Sequence, residues 1–177
     1  MRIRLQLALS LAALPFLLAG SRPAGDDLHT KVLNTIEAFK KTDPGIQKFF
    51  DSAVGYAVFP SVAKGAIGIG GAHGSGELLV GDSAVGKSTL TQVTVGLQLG
   101  GQSYSEIIFF EQDNTIDGFK KGDFAFSAQA SAVAVKSGAS TTAAYRNGVA
   151  VFTQAKGGLM YEASIGGQKF SFEEYKP

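Results

Sequence analysis

Between Leu90 and Leu99 the chain reads LTQVTVGLQL. Val93, Val95, Leu97 and Leu99 fall on one side of a period of two, and Gln92, Thr94, Gly96 and Gln98 on the other. Such alternation marks a half-buried β-strand, because successive side chains of an extended backbone point to opposite faces. Its position is what constrains the fold. It directly follows Gly81–Ser88, GDSAVGKS, which fits the phosphate-loop formula G-x-x-x-x-G-K-[ST] at every fixed position. A working phosphate loop must be followed by a helix, whose N-terminus and the loop N–H groups surround the phosphates. Here the next residues are rich in Thr and Val with Gly96 inside them, and each of these is unfavourable in a helix. The expectation is a β-hairpin, with Gly81-Asp82 as a turn and Gly86-Lys87 as a second bend or bulge. Gly81, Gly86, Lys87 and Ser88 then match the formula by chance, Lys87 is a solvated lysine, and no cofactor is called for. Ile107–Glu111 resembles the apolar strand plus acid that positions magnesium in nucleotide hydrolases, but the residues after it hold no helix–strand repeats for a doubly wound sheet. A nucleotide-binding protein using residues 81–88 is the less favoured alternative.

The other segments obey the same two periods. Asp26–Lys41 has Leu28, Val32, Ile36 and Phe39 at helical spacing, widened by Leu33, with Lys31, Asn34, Glu37, Lys40 and Lys41 on the polar side. Asp43 before Pro44 is an N-cap and first-turn proline signal, which predicts a second short helix carrying Ile46, Phe49 and Phe50. The apolar faces of these helices cover either the domain core or a membrane surface. From Gly55 onward strands are predicted at Tyr56–Pro60, Ala66–Gly71, Glu77–Val80, Leu90–Leu99, Ser105–Phe110, Phe124–Val135, Gly148–Thr153 and Leu159–Ile165, with one helix at Thr115–Lys121. Helices first and then strands without β-α-β alternation predict an α+β domain: amphipathic N-terminal helices, then a mainly antiparallel sheet, curled or barrel-like. An internal echo, GYAVFPSVAKG at Gly55–Gly65 against GVAVFTQAKG at Gly148–Gly157, predicts that two related halves build this sheet.

At the N-terminus, Arg2 and Arg4 precede an apolar run from Leu5 to Leu18, followed by the small residues Ala19, Gly20 and Ser21. The run is 14 residues long, short of the roughly 20 that span a bilayer. It is expected to be a signal peptide over residues 1–21, with 22–26 a short linker and 27–177 one domain. Leu18-Ala19-Gly20 resembles the bacterial lipoprotein signal, with Ser21 where the lipid-bearing Cys would stand. A hydroxyl does not replace that thiol, so the expected location is periplasmic or outer-membrane associated without lipidation at Ser21. Removing residues 1–21 leaves 14 basic and 15 acidic residues, a balance with no general attraction for nucleic acid. The absence of Cys excludes disulfides, zinc–thiolate sites and a thiol nucleophile.

Catalytic constellations are not assembled by the sequence. Gly68–Gly74 misses the dinucleotide fingerprint, since His73 stands where its third glycine belongs. There is no G-x-S-x-G elbow, and Asp113, Asp117, Asp123, Glu173 and Glu174 are spread over loops and the tail. No enzyme is expected, no metal and no catalytic residue.

Four segments, GYAVFPSVAKGAIGIGGAHGSG, LTQVTVGLQLGGQSYSEIIFF, FAFSAQASAVAV and GVAVFTQAKGGLMYEASIGGQKFSFE, resemble the SYLF lipid-binding domain in its bacterial form, in the family's order and across Asp27–Tyr175. In eukaryotic relatives this domain binds phosphoinositide-containing membranes, with help from an amphipathic N-terminal helix; some fungal relatives bind and bundle actin. Bacterial relatives are exported, often as envelope lipoproteins. The resemblance implies a non-enzymatic phospholipid-binding module of the bacterial envelope whose partner is an anionic phospholipid or membrane surface, and for which actin has no counterpart. A structural envelope protein that binds a protein or peptidoglycan partner is the alternative. Lys64 and Lys156 hold equivalent places in the echo, each between Ala and Gly. They are candidates for holding a lipid phosphate, or ordinary turn lysines; Leu28, Val32, Ile36 and Phe39 are candidates for docking the helix on core or membrane.

Overall fold

The structure, a computed structural model, describes residues 24–67, 69–95, 102–126, 131–156 and 163–176. The expected signal segment and linker therefore lie almost wholly outside the described residues. Helix α1 spans Ala24–Thr42, a 3-10 turn spans Pro44–Ile46, and α2 spans Gln47–Ser52. Asp43 caps the turn in extended conformation, its Oδ1 accepting the Gly45 N–H at 3.2 Å. Its carboxylate also accepts the N–H of Gly138 at 3.3 Å and of Ser140 at 2.6 Å, so the cap ties the helical layer to a distant loop. Burial would raise the Asp43 pKa, but these N–H bonds outweigh it and hold the carboxyl below its ordinary value.

The strands are β1 (Gly55–Ile67), β2 (Ile69–Val80), β3 (Ser83–Val95), β4 (Gln102–Phe110), β5 (Ser131–Ala134), β6 (Val149–Ala155), β7 (Ala163–Ser164) and β8 (Gln168–Glu174), with α3 (Asp113–Lys121) between β4 and β5. Seven of them form one ladder in the order β5-β6-β4-β1-β2-β3-β8, and the two-residue β7 adds to β5 as an eighth. Every neighbouring pair is antiparallel except β5–β6. The ladder is not closed. Yet β7 and β8, at its opposite ends, are joined by only Ile165–Gly167, and Ala125 bridges to Lys169 on the free side of β8. The sheet therefore curls until its two edges face one another.

Curling separates two cores. The inner face carries Phe59, Leu78, Leu90, Ile108, Phe110 and Phe170, and α3 closes one end of it with Ile116 and Phe119. The outer face carries Tyr56, Val58, Ile107, Phe109 and Phe152, which pack under Val32, Ile36 and Phe39 of α1 and Phe49 of α2. Pro60 sits inside β1, a central strand, where its missing N–H is tolerated only at an irregularity. The register of β1 shifts on both sides of it, between Val58 and Ser61 against β2 and between Phe59 and Val62 against β4. Both Phe59 and Val62 consequently face the inner core.

Several differences from the sequence expectations have local causes. β1 runs past Pro60 because of that irregularity, and β3 begins at Ser83, so the phosphate-loop formula lies in a hairpin. Val80 pairs with Ser83 across Gly81 and Asp82, whose φ values of 54° and 64° make the two-residue turn with both φ positive. The register then shifts at Val85, between the pairs Leu78↔Gly86 and Leu79↔Ala84. Glu173 and Glu174 belong to β8, which pairs with β3 from Gly86↔Glu174 to Gln92↔Gln168, and not to a loose tail. The halves of the echo both flank β4, with Ile107 opposite Val58 on one side and Phe152 on the other. The echo aligns Phe152 with Phe59, so the match is displaced by one residue, and Phe59 faces the inner core while Phe152 faces the outer one. Residues 68, 96–99, 127–130 and 159–162, expected in strands, lie outside the described residues.

Gly86 is fixed by packing. A Cβ there would sit 2.5 Å from the Glu173 carbonyl oxygen and press on the Phe172 ring. Gly86→Ala is expected to lower stability by about 1–3 kcal/mol, the cost of overpacking. Lys87→Ala, at an exposed position, should stay within about 0.5 kcal/mol of the parent. Urea unfolding checks both, and equal midpoints for the two variants would contradict the packing.

Candidate functional site

The candidate lysines meet at one end of the sheet but not at one point. Lys64 on β1 lies between Ala72 of β2 and Gln102 of β4. Lys156 comes directly after the last residue of β6, and its N–H donates to the Ser103 carbonyl at 2.8 Å. Continuing the register sets Lys156 opposite Ser103, whose other neighbour is Ala63. Lys64 and Lys156 thus stand two strands apart and point to opposite faces. Lys156 is exposed; Lys64 is half-buried on the inner side, and burial lowers its pKa.

Helix α1 spends its apolar stripe on the sheet. Val32 and Phe39 are fully buried, Ile36 nearly so, and Leu28 packs at the edge of the outer core. Leu33, in contrast, is 45% exposed. The N-terminal part of α1 is held by a buried carboxylate: Glu77 on β2 is 1% exposed, its Oε2 lies 2.8 Å from His29 Nδ1, and its Oε1 accepts the Tyr175 hydroxyl at 2.5 Å. One acid therefore joins the helix, the sheet and the segment after β8. Lys31 pairs with Asp27 at 2.5 Å on the outward side, and the Lys40 ammonium lies 4.5 Å from the Phe50 ring centroid.

The residues that fit the phosphate-loop formula lie in the β2–β3 hairpin, with no helix after them. In β3 the strand bonds to β2 on one side and to β8 on the other, with Lys87 between Glu77 and Glu173. Backbone N–H groups engaged in ladders are not free to surround a phosphate. Ser88 is fully buried, facing the inner core, where no hydroxyl could reach a solvent-borne nucleotide.

The inner face also holds a polar group that the sequence did not announce. Glu106 is fully buried, and Gln168 Nε2 donates to its Oε2 at 3.0 Å and to Tyr104 Oη at 3.2 Å. Thr153 lies directly across from Glu106 on β6. Glu106 Oε1, Gln168 Oε1 and Thr153 Oγ1 are buried without a hydrogen-bond partner among the described residues. Burial pushes the Glu106 carboxyl up to about 8, against a smaller downward effect of the Gln168 bond, so it is mostly neutral at pH 7. The signal was present in Ser105–Phe110, where Glu106 shares the parity of Ile108 and Phe110. An acid on the apolar side of a strand is a buried acid if that side faces the core.

Among the described residues no cluster of three His, Asp or Glu is placed to hold a metal. Residues 91–175, from β3 to the segment after β8, match the Ysc84 family, described as Las17-binding protein actin regulator. The chain is also 32% identical over 130 residues to Beta cell expansion factor A of Aeromonas veronii, an alignment that covers 72% of this chain and 49% of that protein. It belongs to the SYLF (Ysc84) family, a family of non-catalytic binding domains. The aligned region spans about half the length of that relative.

Glu106 gives the fold a pH dependence of definite sign. Its carboxyl has an ordinary value of 4.5 and a folded value of about 8, so the folded state holds more protons between these values. The contribution is fully present below about pH 4.5 and is lost as pH rises through about 8. Glu106→Gln, which has no charge to bury, should melt close to the parent at pH 5 and roughly 5 °C or more above it at pH 9. Parallel melting curves across that range would contradict the assignment.

Proposed function

We propose that the protein is a non-enzymatic module that attaches to anionic phospholipid surfaces in the bacterial cell envelope. The observation that carries this reading is the family match over residues 91–175, which supports a lipid- or membrane-binding or an actin-regulator-type module. The apolar run Leu5–Leu18 after Arg2 and Arg4 supports export, and with it a lipid rather than an actin partner. Among the described residues no helix is long and apolar enough to cross a membrane.

Two regions offer surface groups for attachment. The outward side of α1 presents Lys31, Leu33, Ala38 and Lys41, all exposed. Its buried side is already committed to the sheet, so contact through Val32, Ile36 and Phe39 would require the Glu77 carboxylate to release His29 and the helix to lift. Surface contact through the outward side needs no such cost. The second region is the glycine-rich end of the sheet with Lys156 and Lys64, which act there as separate charges on two faces rather than as one phosphate clamp.

Vesicle co-sedimentation at about 0.15 M salt tests the proposal, where charges more than about 8 Å apart are screened. The protein should sediment with phosphatidylglycerol vesicles and remain in solution with phosphatidylcholine vesicles. Each basic residue near an anionic surface contributes about 1 kcal/mol, so Lys64→Glu/Lys156→Glu should weaken binding by roughly tenfold or more. Equal sedimentation with both vesicles, or with neither, would favour the structural envelope protein that binds a protein or peptidoglycan. Undiminished binding of the double variant would move the contact to α1.

A further inference from the structure

The curled sheet has a seam, and among the described residues the seam is incompletely filled. β5 meets β6 only at Val133↔Phe152 and Ala134↔Thr153, so Val149–Val151 has no strand ladder on that side among the described residues. Across the gap stand Phe124–Phe126, the segment that bridges to β8. Between them lies a cleft of about 590 Å³, within the ~300–1,000 Å³ common for small-molecule sites.

The cleft grades from apolar to cationic. Its depth is formed by Phe126, Ala132, Val151 and Ile165, all buried, with Val149 and Phe124 half-buried above them. Its rim is the loop before β6, with Thr142, Ala144, Arg146 and Asn147 exposed. Among the described residues Arg146 is the single charged group in the lining, and no acid lines the cleft with it. Its guanidinium forms no ion pair among the described residues. Its backbone is held, since Arg146 N–H donates to the Val149 carbonyl at 2.8 Å and its carbonyl accepts the Val149 N–H at 3.2 Å. Asn147 between them has a φ of 52°, so the loop is a tight turn that fixes where the arginine starts.

From this arrangement we infer that the seam cleft binds one molecule of a single-chain anionic amphiphile, a long-chain fatty carboxylate, with the chain inside and the carboxylate on Arg146. A planar guanidinium pairs with a carboxylate through two parallel N–H···O bonds. The buried side chains of Phe126, Ala132, Val151 and Ile165 desolvate the methylenes of the chain. A cationic or neutral amphiphile of the same length gains the wall but not the arginine. This goes beyond attachment to a membrane surface and does not depend on it, because the ligand is taken up as a monomer from water.

The experiment is displacement of the fluorescent fatty acid 11-(dansylamino)undecanoate from the intact protein, without vesicles and below the micelle concentration of every competitor. Dodecanoate should compete at least tenfold better than dodecyltrimethylammonium, and each methylene removed from the carboxylate should weaken competition by about fourfold. Arg146→Glu should lose at least tenfold toward dodecanoate and gain toward the ammonium. Ala144→Trp, at an exposed rim position, should block both while leaving the melting temperature unchanged. Equal competition by the two amphiphiles with the unaltered protein, or no chain-length dependence, would overturn the inference without reference to any variant. Dodecanoate binding that is unchanged in Arg146→Glu would do so as well. Loss of vesicle sedimentation with dodecanoate binding intact would count against the surface function alone.

Discussion

Three residues, Ile165–Gly167, join the strands at the two ends of the sheet, and that short tether governs the molecule. Strands at opposite edges of a flat sheet of this size would lie far beyond the reach of such a link, since a residue spans at most about 3.6 Å. The sheet must curl, and curling defines an inside. The inside receives Phe59, Phe110, Phe119 and Phe170, and the outside receives the helices. Pro60, with the register shifts around it, keeps Ala57, Phe59 and Val62 of β1 all on the inside. The bend in β3 at Val85 and the contact of Gly86 with Phe172 complete the same curvature where β8 joins.

Within that frame the charged groups divide into structural and available ones. Asp43, Glu77 and Glu106 are all buried, and each holds together parts of the chain that are distant in sequence. Asp43 joins the first helices to the Gly138–Ser140 loop, Glu77 joins α1 to Tyr175, and Glu106 shares Gln168 with Tyr104. Removing one partner of such a group leaves an uncompensated polar atom, so Asp43 and Glu77 are intolerant of substitution whatever the protein binds, while the mostly neutral Glu106 accepts Gln. Lys41, Lys156 and Arg146 are exposed and lie outside those networks.

Local patterns gave the type of element, but not always its buried side: in β3 Gln92 is buried while Val93 is 74% exposed. The stripe Val32, Ile36 and Phe39 announced the buried side of α1, and Asp43-Pro44 announced the cap. The alternation after Leu90 excluded the helix that a phosphate loop requires, and the residues before it turned out to lie in the same strand. β8 was hidden although Phe170 and Phe172 alternate with Lys169, Ser171 and Glu173. Seven residues that end in charges read as a tail until β3 is known to need a partner. Glu106 was hidden for a related reason: parity assigns a side to a residue, but only the curl says which side is dry. The seam cleft was not legible at all. It lies between Phe124–Phe126 and Val149–Val151, where two distant stretches meet without completing a ladder.

The pairing of β3 with β8 has a consequence in time. Thr91 and Lys169 face one another across the ladder, so nearly the whole second half of the chain must be made before this contact can form. Non-local strand pairing of this kind is slow, because the loop must be closed before any bond rewards it. Until then the aromatic interior has an open wall, and β3 offers an unpaired edge to any other extended chain. A growing or threaded polypeptide of this design stays unfinished until its last strand arrives, and in that interval it depends on whatever shields it from its own kind.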